Sequence, residues 1–165
     1  MYIRKISTRR LEEYKKLRLA ALLEHPEAFG SSYEEEVEMS DKKFKERLSN
    51  PENVTLGAFK DRELVGMITL ITSKRKKTYQ NGHIVSMIVS PLYRKQGIGQ
   101  KLLEAIFIEA RNLKIENLFL SVTSTNYPAI NMYKKMGFRR YATEMKAIKV
   151  EETYFDSDLM ALYLS

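Results

Sequence analysis

The stretch richest in chemical potential is Ile88-Val89-Ser90-Pro91-Leu92-Tyr93-Arg94-Lys95-Gln96-Gly97-Ile98-Gly99-Gln100. A β-rich apolar run ends at Val89, a proline-containing turn follows, and helical spacing starts from Gly99. At such a helix start the first backbone N–H groups have no partner within the helix, and the dipole favours an anion. The amides of Lys95, Gln96, Gly97, Ile98, Gly99 and Gln100 are therefore candidates to hold a phosphate or pyrophosphate, with Gly97 and Gly99 letting the main chain approach it. A glycine-rich turn chosen for tight packing is the other account of the same two glycines. The segment is not a dinucleotide fingerprint, because Leu102 stands where the third glycine of G-x-G-x-x-G would fall, and it is not a Walker loop.

A second constellation runs from Leu120 through Asn126, Ala129 and Tyr133 to Gly137-Phe138. Asn126 precedes Pro128 as an N-cap would, and Gly137 suits the left-handed position that closes a helix. Arg94, Gly97 and Gly99 resemble the R-x-x-G-x-G signature of the GNAT N-acetyltransferases, and the second constellation resembles that family's N-x-x-A-x-x-x-Y-x-x-x-G-F run. Asp156-Ser157-Asp158-Leu159-Met160 is similar to a common tail of the group.

The resemblance implies acetyl-CoA as co-substrate and direct acetyl transfer to a primary amine. It implies cofactor contacts from the main chain of Ile88 and Val89, from Arg94 and the amides of Lys95 to Gln100, and from Asn126 and Tyr133. It gives Tyr133 the role of general acid on the coenzyme A thiolate, and the Val89 N–H that of stabilising charge on the acetyl oxygen. Packing of Tyr133 beside Ile130 is the structural alternative. Phe29, Tyr33 and Glu34 fall in the segment that resembles the family's variable acceptor loop, although two aromatics there also suit pinning a loop to the core. A coenzyme A-binding regulatory module without efficient catalysis is the rival reading. It is motivated by the general base: some relatives place a glutamate where Ser121 stands or within the strand that here reads His83-Ile84-Val85-Ser86-Met87, and neither place has a carboxylate. His83, the Glu34-Glu35-Glu36 run and bulk water are the remaining candidates.

These residues need elements to position them. Leu11, Tyr14, Leu17, Arg18, Ala21 and Leu22 trace a helical face after a short first strand over residues 2–6. Residues 27–36 read as a loop between helices, and Ser40 as the cap of a short helix to Leu48. Two β-rich runs, 54–60 and 64–72, are joined at Asp61-Arg62, and a third spans 84–89. A helix from Gly99, a buried strand over 118–122, a helix over 128–136 and strands over 138–150 and 159–164 complete the pattern. This is α/β mixed architecture. The resemblance makes it the GNAT fold, a central mixed and mostly antiparallel sheet of about seven strands with splayed parallel strands 4 and 5, flanked by about four helices.

The composition, 44% hydrophobic and 30% charged over 165 residues, fits one domain over residues 1–165, which the resemblance makes an acetyltransferase domain. The absence of cysteine removes disulfides, thiolate zinc sites and a thiol nucleophile, and no metal is expected to take part. The net charge of +7 suits an anionic ligand, and without interleaved aromatics it gives no case for nucleic acid. Neither a signal-peptide core nor a membrane-length apolar run is present, so a cytoplasmic protein without a membrane partner is expected. Homodimers are frequent in the group it resembles.

Overall fold

The computed structural model describes residues 1–164. Seven strands form one sheet: β1 (Tyr2–Lys5), β2 (Asn53–Lys60), β3 (Glu63–Ile71), β4 (Asn81–Val89), β5 (Asn117–Thr123), β6 (Arg139–Val150) and β7 (Thr153–Tyr163). Their order across the sheet is β1-β2-β3-β4-β5-β7-β6. Only β4 and β5 run parallel, and every other neighbouring pair is antiparallel. The helices are α1 (Leu11–Glu24), α2 (Tyr33–Val37), α3 (Asp41–Ser49), α4 (Ile98–Asn112) and α5 (Tyr127–Lys135). No helix among the described residues is long and apolar enough to cross a membrane.

Local chemistry accounts for most boundaries. Asp61 and Arg62 both take positive φ, 49° and 69°, the twist that a two-residue hairpin loop between β2 and β3 requires. Ser40 caps α3 by accepting from the Lys43 N–H at 3.3 Å. Gly137, at φ 102°, ends α5 as its position in the sequence suggests.

Two core clusters lie on opposite faces of the sheet, as the alternation along β3 shows. Leu64 and Met67 join Leu11, Tyr14, Leu17 and Phe44 from α1 and α3, while Val65, Ile68 and Leu70 join α4 and α5 through Leu102, Ile106, Ile130 and Tyr133. In the second cluster Leu118 is fully buried. A side chain on Gly82, its partner across β4 and β5, would come within 3.2 Å of Leu118 and 2.8 Å of Leu70. Large neighbours thus fill the notch beside the glycine.

Two expectations change. Residues 27–36 are not simply a loop: a 3-10 turn, Pro26–Ala28, leads to α2, so the described residues hold five α-helices against the expected four or so. The Ser32 side chain and Glu35 form a reciprocal capping box that nucleates α2, a signal hidden by the acidic run that follows. The last strand begins at Thr153 rather than Leu159, because its polar residues are satisfied within the sheet. Asp158 accepts from Ser124 Oγ at 2.7 Å and Thr143 Oγ1 at 3.2 Å, and Asp156 accepts from the Lys146 N–H at 2.8 Å.

Leu118→Ala is expected to cost about 2–5 kcal/mol of unfolding free energy by opening a cavity beside Gly82. Urea denaturation checks it: a midpoint unchanged from the parent protein would show that the notch collapses without loss.

Candidate active site

The site is organised by a divergence in the sheet. β4 and β5 pair only at Asn81 with Asn117, Gly82 with Leu118 and His83 with Phe119, although β4 continues to Val89 and β5 to Thr123. Beyond His83 the two strands part, leaving a wedge lined by main chain.

A β-bulge directs the β4 backbone at this wedge. Met67 of β3 faces Ile88 and Thr69 faces Val85, so Ser86 and Met87 together stand opposite Ile68. Ser86 takes the left-handed φ of 52° that this extra residue demands. Downstream, the Ser90 N–H donates to the Val65 carbonyl at 2.8 Å. Antiparallel pairs alternate between bonded and unbonded, so Met67–Ile88 is the next bonded pair, and Gly66–Val89 between them is unbonded. The Ile88 main chain therefore faces β3, whereas the N–H and C=O of Val89 point toward β5. The Val89 carbonyl accepts from Arg94 Nε at 3.1 Å. Its amide is directed into the wedge.

The turn into α4 adjoins that point. Lys95 and Gly97 both have positive φ, 60° and 77°, and the first amide bonded within the helix is that of Lys101, which donates to the Gly97 carbonyl. The N–H groups of Ile98, Gly99 and Gln100 are the orphan donors of the helix start. The two glycines do different work. Around Gly97 there is open space, and its role is conformational; a side chain on Gly99 would meet Met132 Sδ at 2.9 Å and Met87 Cε at 3.1 Å, so Gly99 permits close approach of α4 to α5 and β4. Lys95, Gln96 and Gln100 are exposed on this turn. Arg94 bends back instead, gripping Glu24 of α1 through Nη1 and Nη2 at 2.8 and 3.0 Å and holding that carboxyl below its ordinary range.

On α5, the Asn126 side chain accepts from the Ala129 N–H at 3.4 Å, which leaves its amide nitrogen free to donate. Tyr133 is 6% exposed and packs edge-on against Phe138. Burial alone pushes its phenol well above the ordinary value, with no neighbouring charge or hydrogen bond contributing. It is protonated throughout the neutral range.

The acceptor-loop residues are dispersed. Phe29 packs against the α1 cluster, Tyr33 opens α2 half-buried, and Glu34 is exposed on α2. Glu35 is committed to the capping box, and Glu36 is 1% exposed beneath the loop. Glu36 receives Arg18 Nε at 3.0 Å, Arg18 Nη2 at 2.7 Å and Arg47 Nη1 at 2.9 Å. Burial pushes its carboxyl up, but the hydrogen bonds and charges of the two guanidinium groups prevail and hold it below the usual value. A carboxylate so held is a poor proton acceptor. His83 sits at the closed end of the wedge, six residues before Val89, roughly 15–20 Å along the strand. Ser121 is exposed on β5, and no group of three His, Asp or Glu among the described residues is arranged to hold a metal. The buried Arg18–Glu36 pair is what sequence reasoning missed. Its signal was an arginine on the apolar stripe of α1, which demands a buried partner.

Residues 16–138 match the family model described as the acetyltransferase (GNAT) family, and the chain belongs to that family. An N-alpha-acetyltransferase of Sulfurisphaera tokodaii is 39% identical over 87 residues, covering 50% of this chain and 48% of that protein. The chain thus spans about half the length of the curated relatives it matches. Among solved structures, an acetyltransferase of the GNAT family from Streptococcus pneumoniae superposes with a TM-score of 0.88 at 21% identity, covering 99% of each chain. The structure of yncA from Salmonella typhimurium, solved with its cofactor acetyl-CoA, gives 0.83 at 18% identity, covering 100% of this chain and 94% of that one. These likenesses establish the fold.

Because the Glu36 carboxyl lies below its ordinary 4.5, its stabilising contribution is complete above that pH and lost as pH falls through the folded value. Glu36→Gln should therefore be less stable than the parent by about 3 kcal/mol at pH 7, and the gap should narrow as pH falls below 4.5. Denaturant titrations at pH 7 and over a descending acid series test this, and a gap that widens as pH falls would contradict it.

Proposed function

We propose that the protein is an acetyl-CoA-dependent N-acetyltransferase that passes the acetyl group directly to a primary amine. The observation that carries this reading is the wedge between β4 and β5, with the Val89 N–H directed into it and the orphan amides of the α4 turn beside it. The residues fit the cofactor. Amides from Lys95 to Gln100 offer a pyrophosphate donors on a helix start, with open space at Gly97 and no side chain in the way. Lys95 and Lys101 add positive charge at its rim. The free amide nitrogen of Asn126 and the outward main chain of Val89 offer hydrogen bonds to a pantetheine arm lying between the splayed strands. Bound there, acetyl-CoA supplies the activated acetyl group.

What remains is positioning and charge stabilisation. The Val89 N–H, fixed by the bulge, stabilises negative charge developing on the acetyl oxygen; a preorganised donor of this kind contributes on the order of 3 kcal/mol. Tyr133 serves the departing sulfur. An ordinary phenol near pKa ~10 facing a thiol near ~8.5 already makes complete proton transfer uphill by about 2 kcal/mol. Burial of Tyr133 steepens that, so hydrogen bonding to the developing thiolate is its principal contribution. Deprotonation of the amine is assigned to water: Glu36 is held by two arginines, Glu35 by the capping box, His83 lies far along the strand, and exposed Glu34 is assigned to the acceptor instead.

For the acceptor, the α-amine of a peptide is the first class to try, because the relatives matched are N-alpha-acetyltransferases. This reading assigns acceptor contacts to Phe29, Tyr33 and Glu34, and Glu34, exposed and outside the capping box, is the acid of the run left free to meet a cation. The proposed domain is the whole of residues 1–165.

Thiol release from acetyl-CoA, measured over a panel of peptides and small amines, tests the activity. Tyr133→Phe is expected to lower kcat by ~10²-fold while acetyl-CoA binding holds, and near-parental turnover at saturating substrate would remove the acid role. Acetyl-CoA that fails to bind at all would overturn the reading. His83→Ala should leave the pH profile of kcat/KM unaltered; a displaced acid limb would reinstate it as the base.

A further inference from the structure

Arg18 is placed where an arginine is costly. It lies on the core-facing stripe of α1 with Tyr14, Leu17, Ala21 and Leu22, and is 8% exposed. All parts of its guanidinium are engaged, by groups from three separate segments. Nε and Nη2 grip the two oxygens of Glu36 on α2, Nη1 donates to Ser86 Oγ on the β4 bulge at 2.9 Å, and the planar group stacks over Phe29 with its carbon 4.8 Å from the ring centroid. Arg47 of α3 closes the far side of Glu36.

The partners are not arbitrary. Phe29 and Glu36 bracket the segment that enters α2, the stretch carrying Tyr33 and Glu34. Ser86 is the left-handed residue of the bulge, three positions before the amide directed into the wedge. A hydrophobic residue at position 18 would bury as much surface without linking these parts; a planar fork with fixed donor directions links them in one geometry. The carboxylate of Glu36 is taken up in neutralising the two guanidinium groups and takes no part in proton transfer.

We infer that Arg18 is a positioning residue, which registers the acceptor-side segment 29–37 against the β4 bulge and so fixes the distance between acceptor entrance and acetyl-holding wedge. This rests on the acetyltransferase reading only for its kinetic consequence; the mechanical link stands or falls without it. The cofactor turn, built on α4, lies outside the link.

Ser86→Gly breaks the link, since glycine adopts the left-handed backbone freely while losing the hydroxymethyl group whose oxygen Arg18 reaches. Amide hydrogen exchange on this variant is expected to speed roughly tenfold over residues 33–37, about fifty positions away in sequence, with α4 unaffected. With a short peptide bearing a free α-amine as acceptor, its KM should rise by about tenfold while the acetyl-CoA dissociation constant stays within twofold. Arg18→Lys, which keeps charge toward Glu36 but loses the fork, should do the same, and adding Ser86→Gly to it should change nothing further. Unchanged exchange over 33–37 in Ser86→Gly, effects of the two substitutions that add, or KM for peptide and acetyl-CoA rising together would each overturn the assignment. Coupled exchange in a parent protein that acetylates no amine would sustain the link and instead defeat the acetyltransferase reading.

Discussion

A buried backbone donor or acceptor has to find a partner, and in this sheet the partner is withdrawn at one place. Where β4 leaves β5 after His83, the antiparallel flank of β4 continues to satisfy one side of the strand while the other side faces a gap. Everything characteristic of the site follows from that divergence. The gap leaves main chain free to hydrogen-bond, the bulge at Ser86 decides which residues face it, and the adjoining start of α4 adds donors suited to an anion.

The rest of the structure keeps the wedge from closing or drifting. On one face α4 and α5 pack as a unit, with Gly99 allowing Met132 and Met87 to close against the helix start. On the other, α1 carries both polar ties to the region: Glu24 at its end receives Arg94, and Arg18 at its middle reaches Ser86. Exposed pairs such as Arg94–Glu24 contribute little to stability. Their value here is geometric, since Arg94 also fixes the Val89 carbonyl and with it the plane of the neighbouring peptide.

The elements were legible wherever one local signal dominated. Helical spacing from Leu11 and from Gly99, the Asp61-Arg62 turn and Gly137 all placed structure within a residue or two. The sequence around Gly97 and Gly99 pointed to a candidate anion-binding turn but could not divide the labour between the glycines, because only the packing of Met132 shows which one is crowded. Polar content misled at Asp156-Ser157-Asp158, where both carboxylates accept from residues outside the segment, Asp158 from Ser124 and Thr143 and Asp156 from Lys146. The same holds for Glu36, an ordinary member of an acidic run until α1 and α3 bring two arginines to it. Contacts of long sequence separation leave no periodic trace, and the buried polar network is made of them.

The two outer strands of the sheet carry a further consequence. β1 is four residues long and includes Arg4 and Lys5, and β6 is exposed from Arg139 to Lys146, with Arg140 among the residues between. β6 is also broken by an irregularity at Glu144 to Ile148, where Lys146 takes φ 53° and gives its N–H to Asp156 instead of presenting it outward. An open sheet rim is ordinarily a template on which other chains crystallise into ribbons. Here one rim is only four residues long and both carry cations, features that oppose edge-to-edge strand pairing.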